Sequence, residues 1–154
     1  MCLNIFTADE LQEISEWFLI SGKFTGEGSK WIRFGLNKAL RDKTDFVVVK
    51  RISKNALTVN KELLGLTRDQ VRKNKMNTEG LVFEHIVPLK SVVERCLNSK
   101  HINEIKHILA EMEVVWITNE ENNALKTKGF HIKERETREK ADKAYNICGI
   151  ELIK

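Results

Sequence analysis

Proline is almost missing from this chain of 154 residues: Pro88 is the single one. Cysteine is scarce too, with Cys2, Cys96 and Cys148 at wide, unpatterned spacings. An odd, scattered set does not make a disulfide framework or a zinc site, so a reducing, cytoplasmic compartment is expected. No apolar run approaches the ~20 residues that span a bilayer, and no membrane partner is expected. The first residues carry acids and no basic stretch, so a signal peptide is not expected either. A glycine cluster, Gly22, Gly26 and Gly28, does not make a phosphate loop, because Gly28-Ser29-Lys30 has the wrong order for the Walker pattern. There is no internal repeat and no low-complexity segment. What remains is the composition of a soluble globular protein of one compact domain, or a small core with a helical extension.

Charge is present and unevenly distributed. The formal net charge is +4. Residues 1–22 hold four acids and no Lys or Arg; residues 23–75 hold fourteen Lys or Arg against five acids; residues 76–154 hold twelve against thirteen. The basic excess therefore sits in the middle of the N-terminal half. That is the electrostatic footprint of a polyanion partner, DNA first and RNA second. The ordinary alternative is a set of solvated helix faces.

Local signals mark the elements. Thr7 and Glu10 form a capping box that opens a first helix, with Leu11, Ile14, Phe18 and Trp17 as its core-facing residues. Ser29 is the expected cap of a second, basic helix through about Leu40, with Trp31, Phe34 and Leu36 as its apolar contacts. Phe46–Val49 is β-prone or a buried helical turn. Thr67 and Gln70 form another capping box ahead of Arg68, Arg72, Lys73 and Lys75. Residues 7–75 read as helical overall. Residues 89–112 read as one or two further helices carrying two apolar stripes, with His101 and His107 as surface residues. The charged run from Lys133 to Lys140 reads as a solvent-facing helix, followed by a closing apolar patch from Tyr145 to Ile153.

Two stretches carry chemistry. In Val82-Phe83-Glu84-His85-Ile86-Val87-Pro88-Leu89, a short strand runs into a carboxylate and an imidazole, and Pro88 ends or bends it. A carboxylate ligates hard cations, and a neutral imidazole takes a proton from water. The structural alternative is a surface Glu beside a half-buried His. In Val114-Val115-Trp116-Ile117-Thr118-Asn119-Glu120-Glu121-Asn122-Asn123-Ala124-Leu125-Lys126, a second strand leads into a helix from Asn119 to about Thr127, opened by a Thr118–Glu121 capping box, with Gly129 past its end.

Glu84-His85-x-x-Pro88 followed by Asn123-x-x-Lys126, in this order and on these elements, resembles the HNH endonuclease family over about residues 80–130. The resemblance implies a ββα-metal core, a two-stranded antiparallel ribbon and a helix around one divalent ion. It implies His85 as the general base, and Glu84 and Asn123 as metal ligands, with Asn122 one residue away as the alternative. It implies Mg²⁺ or Mn²⁺ as the ion, suited to oxygen donors and water. Lys126 would face the substrate phosphate; beyond the resemblance, in the charged run after Gly129, Arg135 and Arg138 are candidates for a second phosphate clamp. The sequence departs from the family pattern where a middle Asn or His usually orients the base. Near Glu113 and Val114 no side chain takes that part, which leaves a backbone carbonyl. The connection from Pro88 to Glu113 is longer than a ribbon loop, and the zinc knuckles of many relatives are absent.

The expected fold class is thus α+β and mostly helical: a helical basic extension over 1–79, an HNH-like ββα-metal core over 80–130 with a helical insertion at 89–112, and a charged helix with an apolar tail over 131–154. Lys50, Arg51, Arg72 and Lys73 complete the expected nucleic-acid contacts. The expected function is a metal-dependent endonuclease. Two alternatives stand beside it: a non-catalytic nucleic-acid-binding module built on the basic half, and an inhibitor that binds a protein partner. Oligomeric state is left open.

Overall fold

The structure is a computed structural model and describes residues 5–154, so Cys2 lies outside the described residues. It is mixed α+β and 59% helical, which bears out a mostly helical chain carrying a small sheet. Helix α1 (Ala8–Ser21) opens on the Thr7–Glu10 capping box. Helix α2 (Glu27–Asp45) is longer than its sequence signals suggest. It is capped by Gly26, at a φ of 81° that favours glycine, and not by Ser29, whose hydroxyl donates back to the Gly26 carbonyl. Strand β1 (Ile52–Ser53) and helix α3 (Lys54–Val59) follow, then a 3₁₀ turn at Lys61–Leu63 and helix α4 (Arg68–Lys73) on its Thr67–Gln70 box.

Strand β2 (Leu81–His85) leads through Pro88 into α5 (Leu89–Asn98) and α6 (Ile102–Ala110). These two helices are the insertion expected between the ribbon strands. Strand β3 (Val114–Thr118) runs directly into α7 (Asn119–Thr127), with the Thr118–Glu121 box intact. A 3₁₀ turn at Lys133–Arg135, helix α8 (Arg138–Ile147) and strand β4 (Leu152–Ile153) complete the chain.

The sheet is larger than the two-stranded ribbon read from sequence. Its order is β2-β3-β1-β4, with β2 antiparallel to β3 from Leu81↔Thr118 to His85↔Val114. Strand β1 lies parallel to β3 and antiparallel to β4. So residues 7–75 are not helical throughout: the 46–53 stretch lies outside any helix, Val48 bridges Thr67, and β1 enters the sheet. A two-residue strand has no periodicity to read; its pairing partners create it.

Strand β3 is buried along its whole length because the sheet is covered on both faces. Val115 and Ile117 join the larger core, with Phe18, Val92, Ile105, Leu109 and Ala144. Val114 and Trp116 join a smaller one, with Val49, Ile52, Ala56, Leu63 and Val71. Each fully buried aliphatic of this size contributes roughly 1.5–3 kcal/mol. At the end of α1, Gly22 lies against the Leu97 carbonyl of α5, where a Cβ would have no room.

Three aromatics expected to pack do not. Trp17 is 58% exposed, Trp31 76% and Phe34 67%. Only part of each helix meets the core: α1 buries Ser15 and Phe18, and α2 buries Leu40 and Thr44. One buried carboxylate links distant elements. Glu121 accepts from the Thr118 amide at 2.8 Å, from Ser53 Oγ at 2.6 Å and from Asn55 Nδ2 at 3.0 Å. It therefore joins α7 to β1 and α3.

Candidate functional site

Glu84 and His85 end β2, and strand alternation turns them to opposite faces. Val82, two before Glu84, packs on the larger core; Phe83, two before His85, packs on the smaller one. Because the strand stops here, both residues still reach the rim. They line one open recess of about 230 Å³, together with Asn37 and Arg41 of α2, Lys90 of α5 and Ile132.

The His85 ring is held on two sides. Phe83 meets it edge-on, with ring centroids 6.0 Å apart. Its Nε2 lies 2.9 Å from Thr44 Oγ1. That hydroxyl already donates to the Arg41 carbonyl at 2.7 Å. A threonine has one proton to give, so Nε2 is the protonated nitrogen and donates to Oγ1. Nδ1 is left as the bare acceptor, without a hydrogen-bond partner among the described residues. Burial lowers the His85 pKa to about 4, helped by the charges of Arg41 and Arg68 and opposed by Asp45. The ring is neutral at pH 7, and its basicity is well below the near-neutral value expected from the sequence.

Glu84 is anchored differently. Its Oε1 accepts from Arg135 Nη1 at 2.8 Å, and Arg135 is only 9% exposed. Two buried polar atoms nearby, Arg135 Nε and Tyr145 Oη, have no partner among the described residues. Burial and the Glu84 charge hold the Tyr145 phenol protonated. Arg135 Nε can only donate, whereas the protonated Tyr145 hydroxyl can donate and accept.

The amides expected from α7 are elsewhere. Asn123 is exposed and Asn122 half-buried, and neither lines the recess of Glu84 and His85. The helix itself starts at the far end of β2, where the Asn119 amide donates to the Gly80 carbonyl. Lys126 and Lys50 are exposed. The other expected phosphate contacts are engaged internally. Arg51 forms a two-pronged pair with Glu113 at 2.6 and 2.8 Å, and Arg138 joins the same carboxylate at 2.8 Å. Burial would raise the Glu113 pKa, but the hydrogen bonds from Arg51 and the charge of Arg138 outweigh it and hold the carboxyl below its usual range. Arg72 pairs with Asp45 and Lys73 with Asp69. A wider recess of about 810 Å³ is lined by Arg51, Glu113, Arg138 and Lys154, but its guanidiniums are already matched to acids.

No converging group of three or more His, Cys, Asp or Glu side chains is found among the described residues. Among the described residues Glu84 keeps one carboxylate oxygen, Oε2, without a hydrogen bond, beside a guanidinium that repels cations. Mg²⁺ is commonly held by one or two carboxylates plus waters and substrate phosphates. One such oxygen does not by itself hold a divalent ion, so any ion here would bring most of its ligands as water or substrate oxygens.

Thr44, Asn37 and Lys90 carry no signal in the sequence, and Arg41 counts there only toward the basic character of the second helix. Thr44 does the orienting work expected of a backbone carbonyl near Glu113, and the Glu113 carbonyl instead accepts from the Ile86 amide at 3.1 Å. No spacing rule joins Thr44 to a histidine 41 residues away. Among the described residues no helix is long and apolar enough to cross a membrane. No protein-family model matches the chain, and comparisons with curated proteins and with solved structures return no match.

Proposed function

We propose that this protein hydrolyses phosphodiester bonds in nucleic acid, DNA before RNA, with His85 as general base and Glu84 as the carboxylate ligand of a Mg²⁺ or Mn²⁺ ion recruited with the substrate. The observation that carries the reading is the shared recess: a neutral, oriented imidazole and a carboxylate lie beside Arg41 and Lys90. The amides of Asn123 and Asn122, which the HNH resemblance assigns as ligands, do not line this recess and have no part in the proposal.

The chain's own groups divide the work. Arg41 and Lys90 attract and position the phosphate. Thr44 fixes the ring through Nε2, so that Nδ1 takes the proton of the attacking water. The bound phosphate adds negative charge beside the ring, which raises its basicity from the low value of the free protein. Arg135 holds Glu84 in one orientation. When bound, the ion supplies charge neutralisation at the phosphate and the leaving oxygen.

The test is cleavage of supercoiled plasmid with Mg²⁺ or Mn²⁺ and with chelator. Wild type cuts only with metal. His85→Ala loses about a hundredfold or more in rate while gel retardation of DNA persists. Wild-type cutting by His85→Ala would overturn the reading. The pairing of Glu84 with Arg135 favours a second reading, a nucleic-acid-binding module without catalysis. That module retards DNA equally with and without metal and cuts under neither condition.

A further inference from the structure

Trp31 and Phe34 are among the most exposed apolar side chains among the described residues, at 76% and 67%. Both lie on α2, which also supplies Asn37 and Arg41 to the recess of His85. The spacing Trp31, Phe34, Lys38, Arg41 is three, four, three, so the four share one helical face. Phe34 precedes Arg41 by seven residues, about 10 Å of helix at ~1.5 Å per residue. That is roughly three nucleotides at the ~3.4 Å rise of a stacked strand. Gly35 adds open space: a Cβ there would meet nothing within 4 Å. A helical side chain covers the turn before its own Cα, so a glycine four residues on leaves the Trp31 ring uncovered. Glycine weakens a helix interior, and here it keeps an aromatic face bare.

The charges on this face suit a polyanion. Arg41 has no ion-pair partner among the described residues. Lys38 is paired with Asp42 and Lys30 with Glu27, both exposed pairs that yield readily to a phosphate. Aromatic rings alternating with cations are the means by which proteins hold single strands, because unpaired bases offer their faces for stacking. A continuous duplex hides those faces.

We infer that α2 is a stacking platform for unpaired nucleotides, which feeds a single strand, or a single-stranded segment of a longer substrate, into the His85 recess. This rests on the hydrolase reading for what happens at the recess, but the binding itself does not. The probe is a fluorescein-labelled oligothymidylate, compared with its duplex on oligoadenylate, by anisotropy in chelator. The full chain binds the single strand more tightly than the duplex. The double variant Trp31→Ala/Phe34→Ala loses about tenfold or more in single-strand affinity, selectively. Trp31→Tyr/Phe34→Tyr restores most of it, and all three proteins melt at similar temperatures. Equal binding of both forms, or no selective loss in the alanine variant, overturns the inference. So does sedimentation in which the alanine pair turns a dimer into a monomer while single-strand affinity stays unchanged, since the face then serves a second copy. If the binding contrast holds but wild type cuts nothing with Mg²⁺ or Mn²⁺, the hydrolase reading falls and the platform stands.

Discussion

Glu84 and His85 are neighbours in the chain, and the two faces of β2 treat them in opposite ways. On one face a buried guanidinium keeps a carboxylate company; on the other, burial and two nearby arginines keep an imidazole uncharged. The pair teaches that burial acts together with its neighbours: Glu84 has a counter-charge packed against it, whereas the arginines near His85 add to burial and lower its pKa.

The largest expected effect breaks the first half of this comparison. Arg135→Met strips a half-buried carboxylate of its partner and lowers stability by about 3 kcal/mol, the low end for a buried pair, read as a shift in the urea midpoint. Adding Glu84→Leu to that variant recovers most of the loss, because the cost lies in the unmatched charge and not in the packing.

The next breaks the second half. His85 has a folded pKa of about 4 against 6.5 unfolded. Between those values the unfolded chain binds the extra proton, so stability rises with pH across the window. The contribution is complete above about pH 6.5 and is lost as pH falls toward 4, with a swing of up to about 3 kcal/mol. His85→Asn in chelator removes this swing. Urea titrations of the two proteins at pH 7 and pH 4.5 check it, since other groups cancel in the difference.

A smaller effect isolates the ring's anchor. Thr44→Val leaves the Nε2 proton without an acceptor and costs about 1–3 kcal/mol, whereas Thr44→Ser keeps the bond and costs less. The valine variant also lowers the cleavage rate more than it weakens DNA retardation. The smallest effect marks the contrast with the buried pair. Lys38 and Asp42 are 2.6 Å apart on an exposed helix face, yet Lys38→Ala changes stability by no more than about 0.5 kcal/mol.

What was legible in the sequence was local. The three capping boxes at Thr7, Thr67 and Thr118 need only four residues each, and all three close as read. The β2–β3 pair and the helical insertion between them follow from apolar runs long enough to show a period. Other features depend on partners far along the chain. Strands β1 and β4 are two residues each and exist through their pairing. Arg135 was read as a phosphate contact, yet it sits 51 residues from the carboxylate that holds it. Trp31 and Phe34 read as core because apolar residues on a helix usually are; nothing local tells which side of α2 faces water.

The carboxylate of Glu121 has a consequence for motion. By holding the start of α7 and the entry to α3 at once, it acts as a rivet between two otherwise separate stretches of backbone. The turn that carries Asn122 and Asn123 cannot unwind alone without breaking the hydrogen bonds of Glu121 to Ser53 and Asn55. Exchange of the Thr118 and Ala56 amides with deuterated solvent should therefore proceed at one common rate, since both are released by the same opening event.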